Sequence, residues 1–373
     1  MKRMILSPQR KFGMTLVPRR DYRNVILFET SQDNLNDLIL AEINLEGGLL
    51  TFQSAQRCDF TNANLRWTHW RQADLSGSTL NGADMTDSNL VFAKLRNIHA
   101  SNAILNEVFG AAADFSDSIM ISVKMNHCEL AHCNFTGCDL SKSEIKHTNI
   151  HSAKFRSTNL QEINFSYSWF NTVYPRERQI VEFAIFQKTD ISKSIFYRAD
   201  LRGLDLTDTI HEQTDFENAF YDISTKWPNE VKPENEGAIL LYPRMNLLGM
   251  NLNDIHLCGV TLSRVNASNI SLHGAYLWYS DFSYGNLTQA DLSSCFLLDS
   301  TFENAILSEA SFLNAKIARC NFINADLRGA DMRFDIKHFH SCTDEKREFT
   351  LKNAKYDKTT IWPDEFDPRE WDR

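Results

Sequence analysis

Residues 113–157 divide into consecutive fives, ADFSD, SIMIS, VKMNH, CELAH, CNFTG, CDLSK, SEIKH, TNIHS and AKFRS. The third residue of every five is large and apolar, from Phe115 and Met120 through Phe135 and Leu140 to Phe155. The first residue is short, as in Ala113, Ser118, Cys128, Cys133 and Thr148, and the other three are mostly polar. A period of five matches neither the 3.6-residue turn of an α-helix nor the alternation of a strand. It matches a chain that turns a corner every five residues and sends one large and one small side chain inward each time.

Outward from this stretch the large position recurs from Phe60 to Phe170, interrupted only by Ala100 and Gly110. A longer period is superimposed. Phe115, Phe135 and Phe155 stand twenty residues apart, as do Phe282, Phe302 and Phe322. Four fives therefore close one square coil, and these phenylalanines form the structural core as columns of like residues. Successive coils are expected about 4.8 Å apart, the spacing of paired strands.

On these repeats the sequence resembles the pentapeptide-repeat family. The resemblance implies an all-β fold, a right-handed quadrilateral parallel β-helix, and a mainly non-enzymatic role. Breaks in the register divide it into two capped blocks. The expected boundaries are an N-terminal segment and cap strand at 1–34, a first β-helix at 35–227 and a linker with cap strand at 228–246. A second β-helix follows at 247–373. The first block carries a loop at 171–183, after which the repeat resumes one residue out of phase at Phe186 and has a gap at His211. The second carries an insert at 335–348.

Both blocks close on one phrase, AFYDISTKWP (219–228) and AKYDKTTIWP (354–363). Tyr221 and Tyr356 are expected to take the last inward positions. Pro228 and Pro363, following Trp227 and Trp362, lack an N–H and so stop further strand pairing. Apolar runs at 25–28 and 238–241 suit lids over the open ends, which a solenoid needs because an uncovered coil is an exposed edge.

The chain has a net charge of −9 and 43% hydrophobic residues. It has no apolar run of about eighteen residues, so membrane insertion is not expected. It has no secretory signal pattern either, so a cytoplasmic location is expected. Charge is diluted along the repeats. Residues 60–170 are net −1, 184–222 and 247–332 are each net −4, and 1–30 are net +5. Duplex DNA carries one charge per about 1.7 Å. A DNA mimic that protects DNA gyrase would need a coherent acidic face, which these counts do not supply, and direct nucleic-acid binding is not expected.

Most of the 8 cysteines occupy the small inward position, where a thiol acts as a small hydrophobe. No cofactor is expected. Metal binding is not expected: neighbours in the outward column Trp67, Asp87, Glu107, His127, His147, Tyr167 need not converge, and His338, His340, Cys342 lack a second ligand pair at zinc spacing. A partner face is better supported. In the second block the outward column Cys258, Trp278, Leu298, Ala318 is apolar, with Tyr276, Tyr279 and Tyr284 around it. Aromatic clusters of this kind mark interaction surfaces, unless another part of the same chain covers them. No nucleophile elbow, phosphate-cradling loop or HExxH occurs. The favoured reading is a protein-interaction scaffold with an unidentified protein partner. The alternatives are a gyrase-protecting DNA mimic and a bacterial effector exported by way of residues 1–30.

Overall fold

The computed structural model describes residues 15–18, 26–30, 32–171, 183–335, 337, 349–364 and 366–372. The expected fold is present: the repeats wind as an all-β square coil. Each wall is a short parallel bridge to the residue twenty positions on, as in Asp114↔Asn134 and Asn134↔Lys154. The large inward residue donates its N–H to the next coil, Phe115 to Asn134 O at 2.8 Å, and Asn134 N–H returns to Ala113 O at 3.0 Å. Phe115, Phe135 and Phe155 lie in one column with ring centroids 5.1 and 5.2 Å apart and planes within 5° of parallel. Phe282, Phe302 and Phe322 form the matching column of the second block, at 5.4 and 5.1 Å.

Nearly every corner holds one residue in the left-handed region, for example Trp67 (φ 56°), His127 (58°) and Tyr279 (60°). That conformation costs roughly 1–2 kcal/mol for a residue other than glycine. It persists because hydrogen bonds fix the corners between coils, as with Asp117 N–H to Thr136 O at 2.9 Å.

The small inward position has its own chemistry. Ser118 Oγ donates to Leu95 O (3.0 Å), Cys138 Sγ to Phe115 O (2.9 Å) and Thr148 Oγ1 to Met125 O (2.9 Å). Each hydroxyl or thiol reaches a carbonyl 23 residues back, so its polar group is satisfied inside an apolar core. Ser, Thr and Cys therefore serve alike there, while Ala fits the same space without a polar group to satisfy.

The coil is interrupted where the sequence breaks. Bridges lengthen to Lys154↔Ile185 and Trp169↔Asp200 across the first loop, and to Asn321↔Thr350 and Asp331↔Ile361 across the second insert. The base of the first loop is firmly held. Asn171 and Phe183 form an antiparallel bridge, and Asn171 Nδ2 donates to Arg202 O at 3.2 Å. The Asp200–Arg202 ion pair (2.7 Å) is buried beside it.

Contacts divide the chain into two compact units. The first comprises Met1–Asn171, Glu182–Ala219 and Ser224–Ile239, and the second comprises the remainder. The segment 228–237, read from sequence as part of a linker, thus packs with the first unit. The N-terminal cover is a hairpin, β1 (Thr15–Pro18) against β2 (Ile26–Thr30), where the sequence suggested a single strand. Val17 is fully buried, and Leu27 and Phe28 pack on the core.

The closing phrases differ from expectation in their last inward rung. Tyr221 is buried, but Tyr356 is only half-buried and meets Trp362 edge-on at 5.5 Å. The deeply placed residues are Thr225 and Thr360, whose hydroxyls donate to Leu201 O (3.1 Å) and Leu327 O (2.9 Å). A threonine thus plays the small inward role at each end. Tyr221 is buried as expected, and only Tyr356 lies short of the core. Pro228 and Pro363 are buried, with Trp227 edge-on to Phe216 at 4.9 Å.

Candidate interaction face

In the second unit the strand residues His256, Tyr276, Phe296 and Lys316 succeed one another at a twenty-residue pitch through parallel bridges. Parallel pairing in register aligns their side chains on one wall. The His256 and Tyr276 rings stack at 5.1 Å, and the Tyr276 and Phe296 rings at 4.3 Å with planes 6° apart. Lys316 Nζ sits 4.3 Å from the Phe296 ring centroid, a cation–π cap on the column.

Trp278 stands at the adjoining corner, 38% exposed and edge-on to both Tyr276 and Phe296 at 6.4 Å. Cys258 and Leu298, of the same corner column, are half-buried. Ala318 corrects the sequence reading. It was expected to extend this outward column, yet it is fully buried. Its side chain is a single methyl, which does not rise above the neighbouring corner residues.

Tyr279 heads the next column, in which Arg319 holds Asp299 through two bonds of 2.8 and 2.6 Å. Burial, together with the Asp299 carboxylate, pushes the Tyr279 phenol up to about 12. Burial likewise raises the Tyr276 phenol, helped by Asp254. Tyr284 is half exposed, around a corner, with the Arg264 guanidinium 4.8 Å over its ring. The face is thus an apolar, aromatic patch edged by Lys316, Arg264 and Arg319. Sequence reasoning followed the corner column and missed His256, Phe296 and Lys316, although the same twenty-residue count finds them.

In the first unit the outward column is a ring stack. His127 and His147 lie 4.8 Å apart, His147 and Tyr167 lie 4.5 Å apart, and Trp67 Nε1 donates to Asp87 at 2.9 Å. Among the described residues no group of three or more His, Cys, Asp or Glu could hold a metal. His338, His340 and Cys342 lie outside the described residues. The cysteines at 58, 128, 133, 138, 295 and 320 are free and buried. Among the described residues no helix is long and apolar enough to cross a membrane.

No curated protein matches this chain. A family model described as pentapeptide repeats matches it in 8 copies, over residues 58–97, 124–162, 270–300 and 297–333. Among solved structures the chain is similar to HetL, a pentapeptide repeat protein involved in heterocyst differentiation regulation in the cyanobacterium Nostoc sp. The identity is 17%, over 74% of this chain and 91% of that one, with a TM-score of 0.31. It is also similar to a trypsin-treated QnrB1, a plasmid-mediated fluoroquinolone resistance protein. Here the identity is 19%, over 51% and 83% of the two chains, with a TM-score of 0.29. The model's matches fall on the same fives that build the square parallel coil, and the chain belongs to the pentapeptide-repeat family.

Proposed function

We propose that the protein is a non-enzymatic interaction scaffold and that the aromatic wall of its second unit is its principal binding face. One observation carries the reading: Tyr276 and Phe296 stack at 4.3 Å on an outer wall, with Trp278 edge-on beside them and 38% exposed. A tryptophan on an apolar patch with a charged edge has the composition of an interface hot spot. The repeat's interior is filled by side chains, so recognition falls to outer faces of this kind. The anchored base at Asn171 and Phe183 makes the intervening loop a second candidate contact.

The test compares wild type with Trp278→Ala and Phe296→Ala in affinity purification from the source cell, followed by reconstitution with the purified partner. Loss of a partner with unchanged circular dichroism is expected. Equal recovery by both variants would remove this face from consideration.

A further inference from the structure

The repeat's one gap near the end of the first unit, His211, leaves a mark in the structure. A complete rung is hydrogen-bonded to the next coil in both directions: Leu206 N–H donates to Lys226 O (2.8 Å) and Lys226 N–H to Leu204 O (2.8 Å). On the next two walls this pattern stops. Among the described residues no backbone carbonyl accepts from His211 N–H or Phe216 N–H. Likewise no backbone N–H donates to Thr209 O or Thr214 O. The pattern resumes at Asn218, whose N–H reaches Gly237 O at 2.9 Å.

The chain that would supply the missing rung turns on itself. Val231 N–H bonds back to Pro228 O, and Asn235 N–H to Lys232 O. Between these turns and the open walls lies a cavity of about 720 Å³. Its apolar lining includes Ile210, Phe216 and Val231, and its acidic lining is Glu212, Glu230 and Glu236. Among the described residues no lysine or arginine lines it. All three carboxylates are on exposed residues, and Ile210 is 57% exposed.

We propose that this cleft accepts a basic peptide segment of a protein partner, which is extended along each open wall, turns the corner between them and adds the missing rung. Two backbone donors and two acceptors, of which Thr209 O is met only by the ring nitrogen Nδ1 of His211 at 3.4 Å, are the recognition elements of β-strand addition. The apolar lining takes alternate side chains, and the three carboxylates select for lysine or arginine at the others. This site lies wholly in the first unit, so it stands or falls apart from the aromatic wall.

The test uses the full chain and labelled decapeptides read by fluorescence anisotropy. The probe alternates lysine and valine. Its controls are the glutamate–valine counterpart and a lysine–valine peptide N-methylated on the edge-facing amides. The proposal expects binding of the first peptide only, weakened about tenfold or more by N-methylation. A similar loss is expected in Glu212→Lys/Glu230→Lys and, through the removed donor, in His211→Pro. Circular dichroism checks that each variant is folded, and the two glutamates are exposed enough that their exchange should not unfold it. No binding of the lysine–valine peptide would overturn the proposal. Equal binding of its N-methylated form would also overturn it, by showing charge attraction without strand addition.

Discussion

The ring of Phe183 lies against Gly203, so that a β-carbon built on the glycine would overlap Phe183 Cε1 and Cζ. Gly203 is also at φ +75°, where a side chain is strained whatever the space. This contact, with the Asn171–Phe183 bridge, holds the base of the first loop. Gly203→Ala is therefore expected to destabilise by about 2–5 kcal/mol, combining left-handed strain with overpacking. Gly249 is the control. It has a similar φ of +65° but nothing within 4 Å, so Gly249→Ala should cost only about 1–2 kcal/mol. Denaturant unfolding of both variants checks the difference, and equal losses would refute the packing account.

Phe135 is sandwiched between Phe115 and Phe155 at 5.1 and 5.2 Å and is fully buried. Removing the ring leaves a cavity that two flat neighbours cannot collapse to fill. Phe135→Ala should lower stability by about 3–5 kcal/mol, and Phe135→Leu by much less, because it keeps most of the volume. Exchange of the Asn134 and Lys154 amides, which carry the bridges on either side, should accelerate in the alanine variant.

The same column shows why the fold was legible in the sequence. A parallel coil repeats each position every twenty residues, so periodicity alone places Phe115, Phe135 and Phe155 over one another. Corners and ends are less legible. Counting puts Ala318 at a corner, but burial there depends on the height of neighbouring side chains, which has no period. Tyr356 and Thr360 sit in the same closing phrase, and only the coil geometry decides which of them enters the core. At the candidate site, Trp278 stands out by residue type. Phe296 and Lys316 needed the wall column to be followed as well as the corner column.

The inward cysteines make stability depend on alkaline pH. Burial pushes the Cys128 and Cys138 thiols up to about 12 from an ordinary value near 9, and Cys133, Cys295 and Cys320 are raised in the same way. Between these values the unfolded chain loses thiol protons that the native chain keeps. The unfolded state then binds fewer protons, so stability falls as pH rises. The contribution is full below about pH 9 and is lost progressively between 9 and 12, at up to about 1.4 kcal/mol per thiol per pH unit. Cys128→Ser/Cys138→Ser keeps a donor toward Leu105 O and Phe115 O and should flatten the slope over that window. Unfolding midpoints at several pH values above 8 measure it, and an unchanged slope would exclude these thiols as its source.

The last rung of the second unit depends on a single hydroxyl. Thr360 Oγ1 donates to Leu327 O at 2.9 Å and accepts from Asp357 N–H at 3.2 Å, while the next residue, Ile361, carries the closing bridge to Asp331. Thr360→Val preserves the shape but removes both bonds of the hydroxyl. Leu327 O keeps its bond from Ala330 N–H at 3.0 Å, so the expected loss is about 0.5–1.5 kcal/mol. Thr360→Ser keeps both bonds and should be close to neutral. Because the lesion is at the end of the coil, its first sign should be local. Ile361 N–H, bonded to Ala330 O at 2.9 Å, should exchange faster in Thr360→Val while the Phe302 amide, two coils in, keeps its protection. Unchanged exchange at Ile361 would mean that Trp362 and Pro363, and not the threonine, hold the end closed.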